Sequence, residues 1–237
     1  MATARWKDLC IDASRPAEVA RFWADALDLD ATALDDSDWV LRGVRSERTV
    51  WINGVPEPKT KKNRVHLDLV RRSTGPLVAL GGHELREVMG GGETWMVVDD
   101  PDGSELCVFD SAQGEPSALV VDSVDAVAQA RWWADVLHAE IVPAPDGAPR
   151  WLAGVSGLPF EVWKFVPVPE PKTVKNRLHW DVVCPDVDAL VAHGATLLRG
   201  PDDEISWHVL ADPEGNEFCA FAPDAPDAPD EDTHDGS

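Results

Sequence analysis

One segment of sixteen residues occurs twice in this chain, and the repeat limits the possible folds more than any other feature. Residues 55–70 (VPEPKTKKNRVHLDLV) return as residues 168–183 (VPEPKTVKNRLHWDVV) with only four differences. Three of the four differences lie at alternate positions, which is the spacing of side chains on one face of a β-strand. The other face is identical in both copies. That kept face carries Arg64, His66, Asp68 and Val70 in the first copy, and Arg177, His179, Asp181 and Val183 in the second.

A second pair of segments repeats this pattern near the end of each half. Residues 100–109 (DPDGSELCVF) match residues 212–221 (DPEGNEFCAF), and the two residues that alternate with the kept Glu, Cys and Phe change only in apolar volume. We therefore expect the chemistry to lie on the faces that carry His, Asp, Glu and Cys. The Asp-Pro-Asp-Gly and Asp-Pro-Glu-Gly segments are typical of tight turns and receive no catalytic role. The kept residues are Glu105, Cys107 and Phe109, which return as Glu217, Cys219 and Phe221.

The repeat divides the chain into two similar parts. The chain has 237 residues, and His66 returns as His179, 113 positions later. This offset predicts two domains with a core each, over residues 1–115 and 116–222. Residues 223–237 alternate Pro and Asp with almost nothing to bury, which predicts a disordered acidic tail.

Composition excludes several classes of function. The formal net charge of −22 argues against nucleic acid or an anionic membrane as the main partner. No apolar run is long enough to cross a membrane or to act as a signal peptide, so we expect a cytoplasmic protein. The four cysteines show no CxxC spacing, which favours reduced and mostly buried thiols.

Each half reads as a strand, a helix and further strands, followed by a second strand, a short helix and a hairpin. The first helix has apolar residues at three- and four-residue steps, and Ser14 and Pro16 are expected to mark its start. The order predicts an α+β fold in which βαβββ modules are paired. Such modules would form curved mixed sheets, with the kept Arg/His/Asp face lining a concave cleft.

The chain has eleven Trp and no Tyr. Core packing accounts for most of these indoles. Aromatic side chains near the kept faces are instead candidates for stacking on a ligand. These ligand-binding candidates are Trp95, Trp207, Phe109 and Phe221.

Taken together, these motifs resemble the glyoxalase-like domains of the vicinal oxygen chelate (VOC) superfamily. The resemblance is carried by an early Phe-Trp helix, a KNRxHxD strand and a late hairpin of the DPxGNEFC kind, and it covers residues 5–110 and 117–222. This superfamily includes glyoxalase I, extradiol dioxygenases, fosfomycin-resistance enzymes and bleomycin-resistance proteins. The resemblance therefore implies a fold with concave clefts, while the reaction stays open.

The resemblance also implies where a metal would bind. In metal-using members, His and Glu side chains from the first strand, the His-bearing strand and the last strand hold a divalent metal on the concave face. His66 and His179 match the ligand histidine, and the first-strand position falls near Asp8 in one copy and Ala118 in the other. Both copies depart from the family at the last-strand glutamate, where the chain has cysteine. The candidate metal ligands are Asp8, His66, Glu105, Cys107 and His179.

Three functions stay open from the sequence. The first is a lyase, isomerase or dioxygenase with Zn, Ni, Fe or Mn held by His66, Asp8 and Glu105. In it, Asp68 and Asp181 are the catalytic candidates, and Asp68 would also orient His66. The second is a metal-free protein that sequesters a small molecule, as bleomycin-resistance proteins do. In the third, the second copy is a structural partner, and the fused chain mimics a homodimer. We expect the chain to be a monomer of this kind or to form a homodimer.

The PEPKT loops concentrate positive charge in this acidic chain. They are interpreted either as an anion clamp for a carboxylate or phosphate of the ligand, or as solvated loops whose lysines pair with surface acids. Arg64 and Arg177 follow the loops, and strand parity places them beside the histidines. Both arginines are therefore candidates for binding the ligand.

Overall fold

The computed structural model describes residues 3–43, 48–90, 92–111 and 117–223. The predicted acidic tail at 223–237 lies outside the described residues, apart from residue 223. Among the described helices, none has the length and apolarity needed to span a bilayer.

The chain forms four consecutive βαβββ modules, as the sequence predicts. The first consists of β1 (Arg5–Ala13), α1 (Pro16–Leu27), β2 (Asp30–Ala33), β3 (Trp39–Arg42) and β4 (Thr49–Gly54). The second consists of β5 (Val65–Arg71), α2 (Gly75–Ala79), β6 (His83–Gly90), β7 (Glu93–Asp99) and β8 (Glu105–Asp110). The third consists of β9 (Ala118–Ser123), α3 (Ala126–Leu137), β10 (Glu140–Pro143), β11 (Pro149–Ala153) and β12 (Val162–Pro167). The fourth consists of β13 (Leu178–Val183), α4 (Val187–Ala192), β14 (Thr196–Arg199), β15 (His208–Ala211) and β16 (Glu217–Phe221).

The modules pair across the two halves of the chain. Sheet I has the order β14-β15-β16-β13-β1-β4-β3-β2, so it joins the first module to the fourth. Sheet II has the order β10-β11-β12-β9-β5-β8-β7-β6, so it joins the second module to the third. Each sheet is mixed, because β1 and β13, like β5 and β9, pair antiparallel in the middle while each also has a parallel neighbour. Each sheet therefore contains strands from both halves.

The hydrophobic core connects the two sheets, and within residues 118–221 it joins sheet II to sheet I. The indoles of Trp163 on sheet II and Trp180 on sheet I meet edge to face, with ring centroids 4.8 Å apart. Trp133 of α3 packs against both rings. The three side chains are fully buried, as are the alternate residues Val65, Leu67, Leu178 and Val182 that differ between the repeats. The face of the strand that differs between the two repeats therefore packs into the core.

Helix α1 begins at Pro16, but Ser14 does not cap it. The residue before the helix is Arg15, which makes no capping bond through its side chain, while the Ser14 hydroxyl donates to Asp102 at 2.5 Å. The corresponding helix α3 is capped by Asp125, whose carboxylate accepts from the N–H of Ala128. A local sequence signal cannot reveal that Ser14 has a more distant acceptor.

Candidate functional site

Site I lies at the centre of sheet I, where strands from both halves meet. Cys10 of β1 lies opposite His179 of β13, and Asp181 of β13 lies beside Cys219 of β16. Because paired residues project to the same face of a sheet, these four side chains share one face. Site I is defined by these four residues.

The side chains of site I converge. Ligand atoms of Cys10, His179 and Asp181 lie within 4.8 Å of one another, and the Cys10 thiol donates to Asp181 Oδ2 at 3.4 Å. Two buried polar atoms of this group have no hydrogen-bond partner, namely His179 Nδ1 and Asp181 Oδ1. A buried polar atom without a partner is costly, and a bound ion, ligand or water is one explanation for it.

Burial controls the charges in site I. Burial raises the pKa of Asp181 to about 7, and the nearby negative charge of Asp8 adds to this shift. Burial also raises the pKa of the Cys10 thiol well above its ordinary value and lowers the pKa of His179. At neutral pH the imidazole is therefore neutral and able to donate a lone pair.

Site II is the corresponding group on sheet II. His66 and Asp68 lie on β5, and Cys107 lies beside Asp68 on β8. Their ligand atoms are also within 4.8 Å of one another, and His66 Nε2 is 3.7 Å from Asp68 Oδ1. Burial lowers the pKa of His66, as it does for His179. Site II is defined by these three residues.

A buried lysine distinguishes site II from site I. Lys164 of β12 is 4% exposed, and its Nζ lies 3.0 Å from Asp68 Oδ2. The ammonium also lies above the rings of Trp151 and Phe109, at 4.9 and 5.6 Å from their centroids. Site II therefore contains a positively charged group, the ammonium of Lys164.

The structure separates Asp8 from His66, although the two were predicted to be ligands of one metal. Asp8 lies on β1 of sheet I, whereas His66 lies on β5 of sheet II. Asp8 accepts from Trp51 Nε1 at 3.0 Å and pairs with Lys7. The grouping is wrong because the modules pair across the halves, so the first-strand position of one half faces the histidine of the other.

Glu105 is engaged away from the metal-ligating group. Its Oε1 pairs with Lys59 at 2.9 Å, and its Oε2 accepts from the backbone N–H of Asn63 at 3.1 Å. Glu217 makes the same pair of contacts with Lys172 and the N–H of Asn176. These glutamates anchor the PEPKT loops to the sheets.

The two arginines reach across the halves. Arg64 donates to the carbonyl oxygen of Glu170 at 2.6 Å, and Arg177 donates to the carbonyl oxygen of Glu57 at 2.6 Å. Arg177 also pairs with Asp102 at 2.5 Å. The arginines thus join each PEPKT loop to the opposite half, and their role in binding a ligand stays a prediction.

The predicted aromatic candidates form two equivalent stacks. Trp207 stacks on Phe221 with ring centroids 5.2 Å apart, and Trp95 stacks on Phe109 at 5.3 Å. Phe221 and Phe109 lie two residues beyond Cys219 and Cys107 on the same strand faces. Each stack therefore extends one of the two polar groups with an apolar surface.

Cys10 and Lys164 were not among the residues predicted for either site. Cys10 lies two residues after Asp8 on one face of β1, so strand parity alone pointed to it. Lys164 interrupts an apolar strand, VWKFV, which is the usual sign of a buried charge. Neither residue is repeated in the other half, where Val120 and Trp51 stand at the equivalent positions.

The two groups fit a divalent metal differently. Site I offers a neutral imidazole, a carboxylate and thiols, and in the described residues the nearby Lys7 pairs with Asp8, although its charge also acts on Asp181. This donor set and its unpartnered atoms fit a cation. In site II the carboxylate of Asp68 is already paired with Lys164. The residues of site II therefore do not fit a metal.

Comparison with known proteins identifies the family. The model of the family described as "Glyoxalase-like domain" matches residues 8–109 and 118–221. No curated protein matches the chain by sequence. Glyoxalase I from Zea mays has a similar fold, with a TM-score of 0.62, 13% identity and 92% of each chain covered.

Two further solved structures share the fold. A candidate dioxygenase from Bacillus subtilis has a TM-score of 0.60 at 13% identity, covering 94% of this chain and 86% of its own. The cppA protein from Streptococcus pneumoniae has a TM-score of 0.51 at 10% identity, covering 92% and 99%. At these identities the structures support the fold alone, while the family model covers most of the sequence in two copies. The chain therefore belongs to the glyoxalase-like domain family of the VOC superfamily, with two copies of the domain in tandem.

Proposed function

We propose that the protein is a metal-dependent lyase or isomerase that acts on a small organic molecule at site I. The observation that carries this proposal is the convergence of Cys10, His179 and Asp181, with buried atoms that lack a partner. In this proposal the three side chains hold the metal, and Cys219 lies beside Asp181 on the neighbouring strand. A bound divalent metal would supply a Lewis acid that polarises oxygen atoms of the ligand.

The donor set favours non-redox chemistry. Thiol and imidazole donors suit Zn²⁺, which neither gains nor loses electrons in enzymes. The non-haem iron site of oxygenases has two histidines and one carboxylate, whereas site I contains one histidine. The composition of the site thus favours a lyase or isomerase over a dioxygenase.

The surroundings of site I suggest how the chain would hold its ligand. The stacked rings of Trp207 and Phe221 offer an apolar surface beside the polar group, and Lys7 Nζ lies 5.0 Å from the Phe221 centroid. Asp8, which accepts from Trp51 Nε1, adds a carboxylate next to Asp181. We therefore expect a ligand with a planar or apolar part on the rings and oxygen atoms towards the metal.

Metal analysis tests the proposal directly. We expect the protein purified without chelator to contain one transition-metal ion per chain, and His179→Ala or Cys10→Ser to lose it. The matched control is His66→Ala in site II, which should keep the metal. An unmodified protein that contains no metal and takes up none on titration would contradict the proposal, and metal-free ligand binding would then be the better description. If His66→Ala instead loses the metal, the metal lies in site II, which would also contradict the proposal.

A further inference from the structure

We propose that the ammonium group of Lys164 takes the place of a metal ion in site II, so that this site works without a metal while site I requires one. The statement about site I rests on the proposed function. The statement about site II stands on its own observations, which are the position, contacts and burial of Lys164.

The register of the strands places Lys164 at a position next to the metal-ligating residues. In sheet I, Cys10 lies between Trp51 on β4 and His179 on β13. In sheet II, Val120 lies between Lys164 on β12 and His66 on β5. Site II has therefore exchanged a thiol for an isopropyl group and an indole for an ammonium group. Both exchanges weaken a site for a cation.

The ammonium group of Lys164 is held inside site II by three contacts. Its Nζ is 3.0 Å from Asp68 Oδ2, and the faces of the Trp151 and Phe109 rings lie on β11 and β8 around it. A carboxylate and two aromatic faces form a favourable environment for a cation. Only 4% of Lys164 is exposed, so the charge belongs to the interior of the site.

A metal ion in site II would meet this charge at short range. Asp68 contributes one of the three ligand atoms, and a metal bound to a carboxylate oxygen lies about 2 Å from it. Since Lys164 Nζ is 3.0 Å from Oδ2 of the same carboxylate, the metal and the ammonium would be at most about 5 Å apart with the metal on Oδ2, and at most about 7 Å apart with the metal on Oδ1. Like charges at this distance in a buried place repel strongly. The lysine therefore excludes the metal while it neutralises Asp68.

Site I lacks this arrangement, although it too has a lysine nearby. Lys7 lies over Phe221 as Lys164 lies over Phe109, but its ammonium pairs with Asp8. In site II the position equivalent to Asp8 is Ala118, so there is no second carboxylate at this position. In site I the additional acid, Asp8, pairs with Lys7, so the positive charge of this lysine acts on Asp181 less directly than that of Lys164 acts on Asp68.

Cobalt binding in variants of the full chain tests the inference. His179→Ala removes a ligand of site I, so that any metal still bound belongs elsewhere. In this background we expect no Co²⁺ binding while Lys164 is present. His179→Ala with Lys164→Gln should bind one Co²⁺ per chain, because a glutamine still donates a hydrogen bond to Asp68 but carries no charge. The Co²⁺ spectrum should contain a thiolate band that disappears when Cys107→Ser is added.

Two outcomes would overturn the inference. One is Co²⁺ binding to the His179→Ala protein that is lost with His66→Ala, because site II would then hold a metal beside an intact Lys164. The other is a folded His179→Ala, Lys164→Gln protein, checked by its thermal transition, that binds no Co²⁺. Should this variant not fold, the first measurement still decides, since it uses the natural lysine. If the unmodified protein binds no metal but the Lys164→Gln variant does, the proposed function fails and the inference on site II holds.

Discussion

Asp100 and Asp212 are the buried carboxylates of the two hairpin turns, and each joins its turn to a helix. Asp100 accepts from the N–H groups of Asp102 and Ser104 and from the indole of Trp23 at 2.9 Å. Asp212 accepts from the indole of Trp133 at 3.1 Å. Each carboxylate thus ties a turn to the helix that crosses the sheet, which confirms the structural role predicted for the turn sequence.

These two residues should make the stability of the protein depend on pH. Burial raises the pKa of both carboxyl groups from 3.8 to about 6. The folded chain therefore keeps these protons at a pH where the unfolded chain has released them. The favourable contribution is complete below about pH 4 and is lost as the pH rises through about 6, by about 3 kcal/mol for each group.

Carboxyl-carbon NMR of the folded protein between pH 5 and 7.5 measures this effect, with Asp212→Asn to assign one signal. We expect two aspartate midpoints near pH 6, in addition to that of Asp181 near pH 7, and a contribution of these two groups to the free energy of unfolding that decreases between about pH 4 and 6 and levels off above. Midpoints near the ordinary value of an aspartate would show that the hydrogen bonds to the charged form outweigh the burial.

At the level of single residues, the repeat predicted what the two sites have in common. His66, His179, Asp68 and Asp181 were found because both halves keep them. Lys164 and Cys10 were missed because each occurs in one site only. Comparison of the halves cannot identify residues that make the sites different, and those residues determine which site accepts a cation.

Among the structural elements, the turns depend on a few backbone positions. Gly215 ends the turn between β15 and β16 with φ +84°, and no heavy atom lies within 4 Å of the place where a Cβ would be. Gly200 also has no atom within 4 Å of that place, but its φ is not in the left-handed region. The two glycines differ in backbone conformation and not in the space around them.

Alanine substitutions at these glycines should separate the backbone effect from packing. Gly215→Ala should lower the free energy of unfolding by about 1 to 2 kcal/mol, because a side chain strains the left-handed backbone. The control, Gly200→Ala, should change it by less than about 0.5 kcal/mol. Urea denaturation of both variants measures the difference. Equal effects at the two positions would contradict the assignment of the cost to the backbone of the turn.

For the whole molecule, the cross-pairing of modules predicts how fragments behave. The fragment 1–115 contains β1 and β5, whose antiparallel partners β13 and β9 belong to the other half. Each of these strands would expose an unpaired edge in a folded monomer. We expect the fragment to dimerise through β1 and β5 of two copies, and to form a heterodimer when produced together with residues 116–223.

Size-exclusion chromatography with light scattering measures the mass of each fragment. The intact chain run at the same concentration is the control, because its strands are already paired within one molecule. A fragment 1–115 that is folded and monomeric would contradict the cross-pairing.

The order of elements was predictable because it follows from local patterns in each module. The pairing of modules was not, because both arrangements bury the same core faces and use the same strands. Trp163 and Trp180 meet across the sheets, yet nothing in the sequence near either residue specifies its partner. The pairing of strands between the halves agrees with one part of the third hypothesis, the resemblance of the fused chain to a homodimer, while the oligomeric state stays a prediction.

The cross-paired sheets also bear on how the two sites can change over generations. In a dimer of identical subunits, any substitution appears in both sites at once, so the sites stay alike. Here β1 and β4 contribute only to site I, and β9 and β12 only to site II. A substitution at Trp51 therefore changes site I alone, and one at Lys164 changes site II alone. In this way two equivalent sites of one chain can become different through substitutions of single residues.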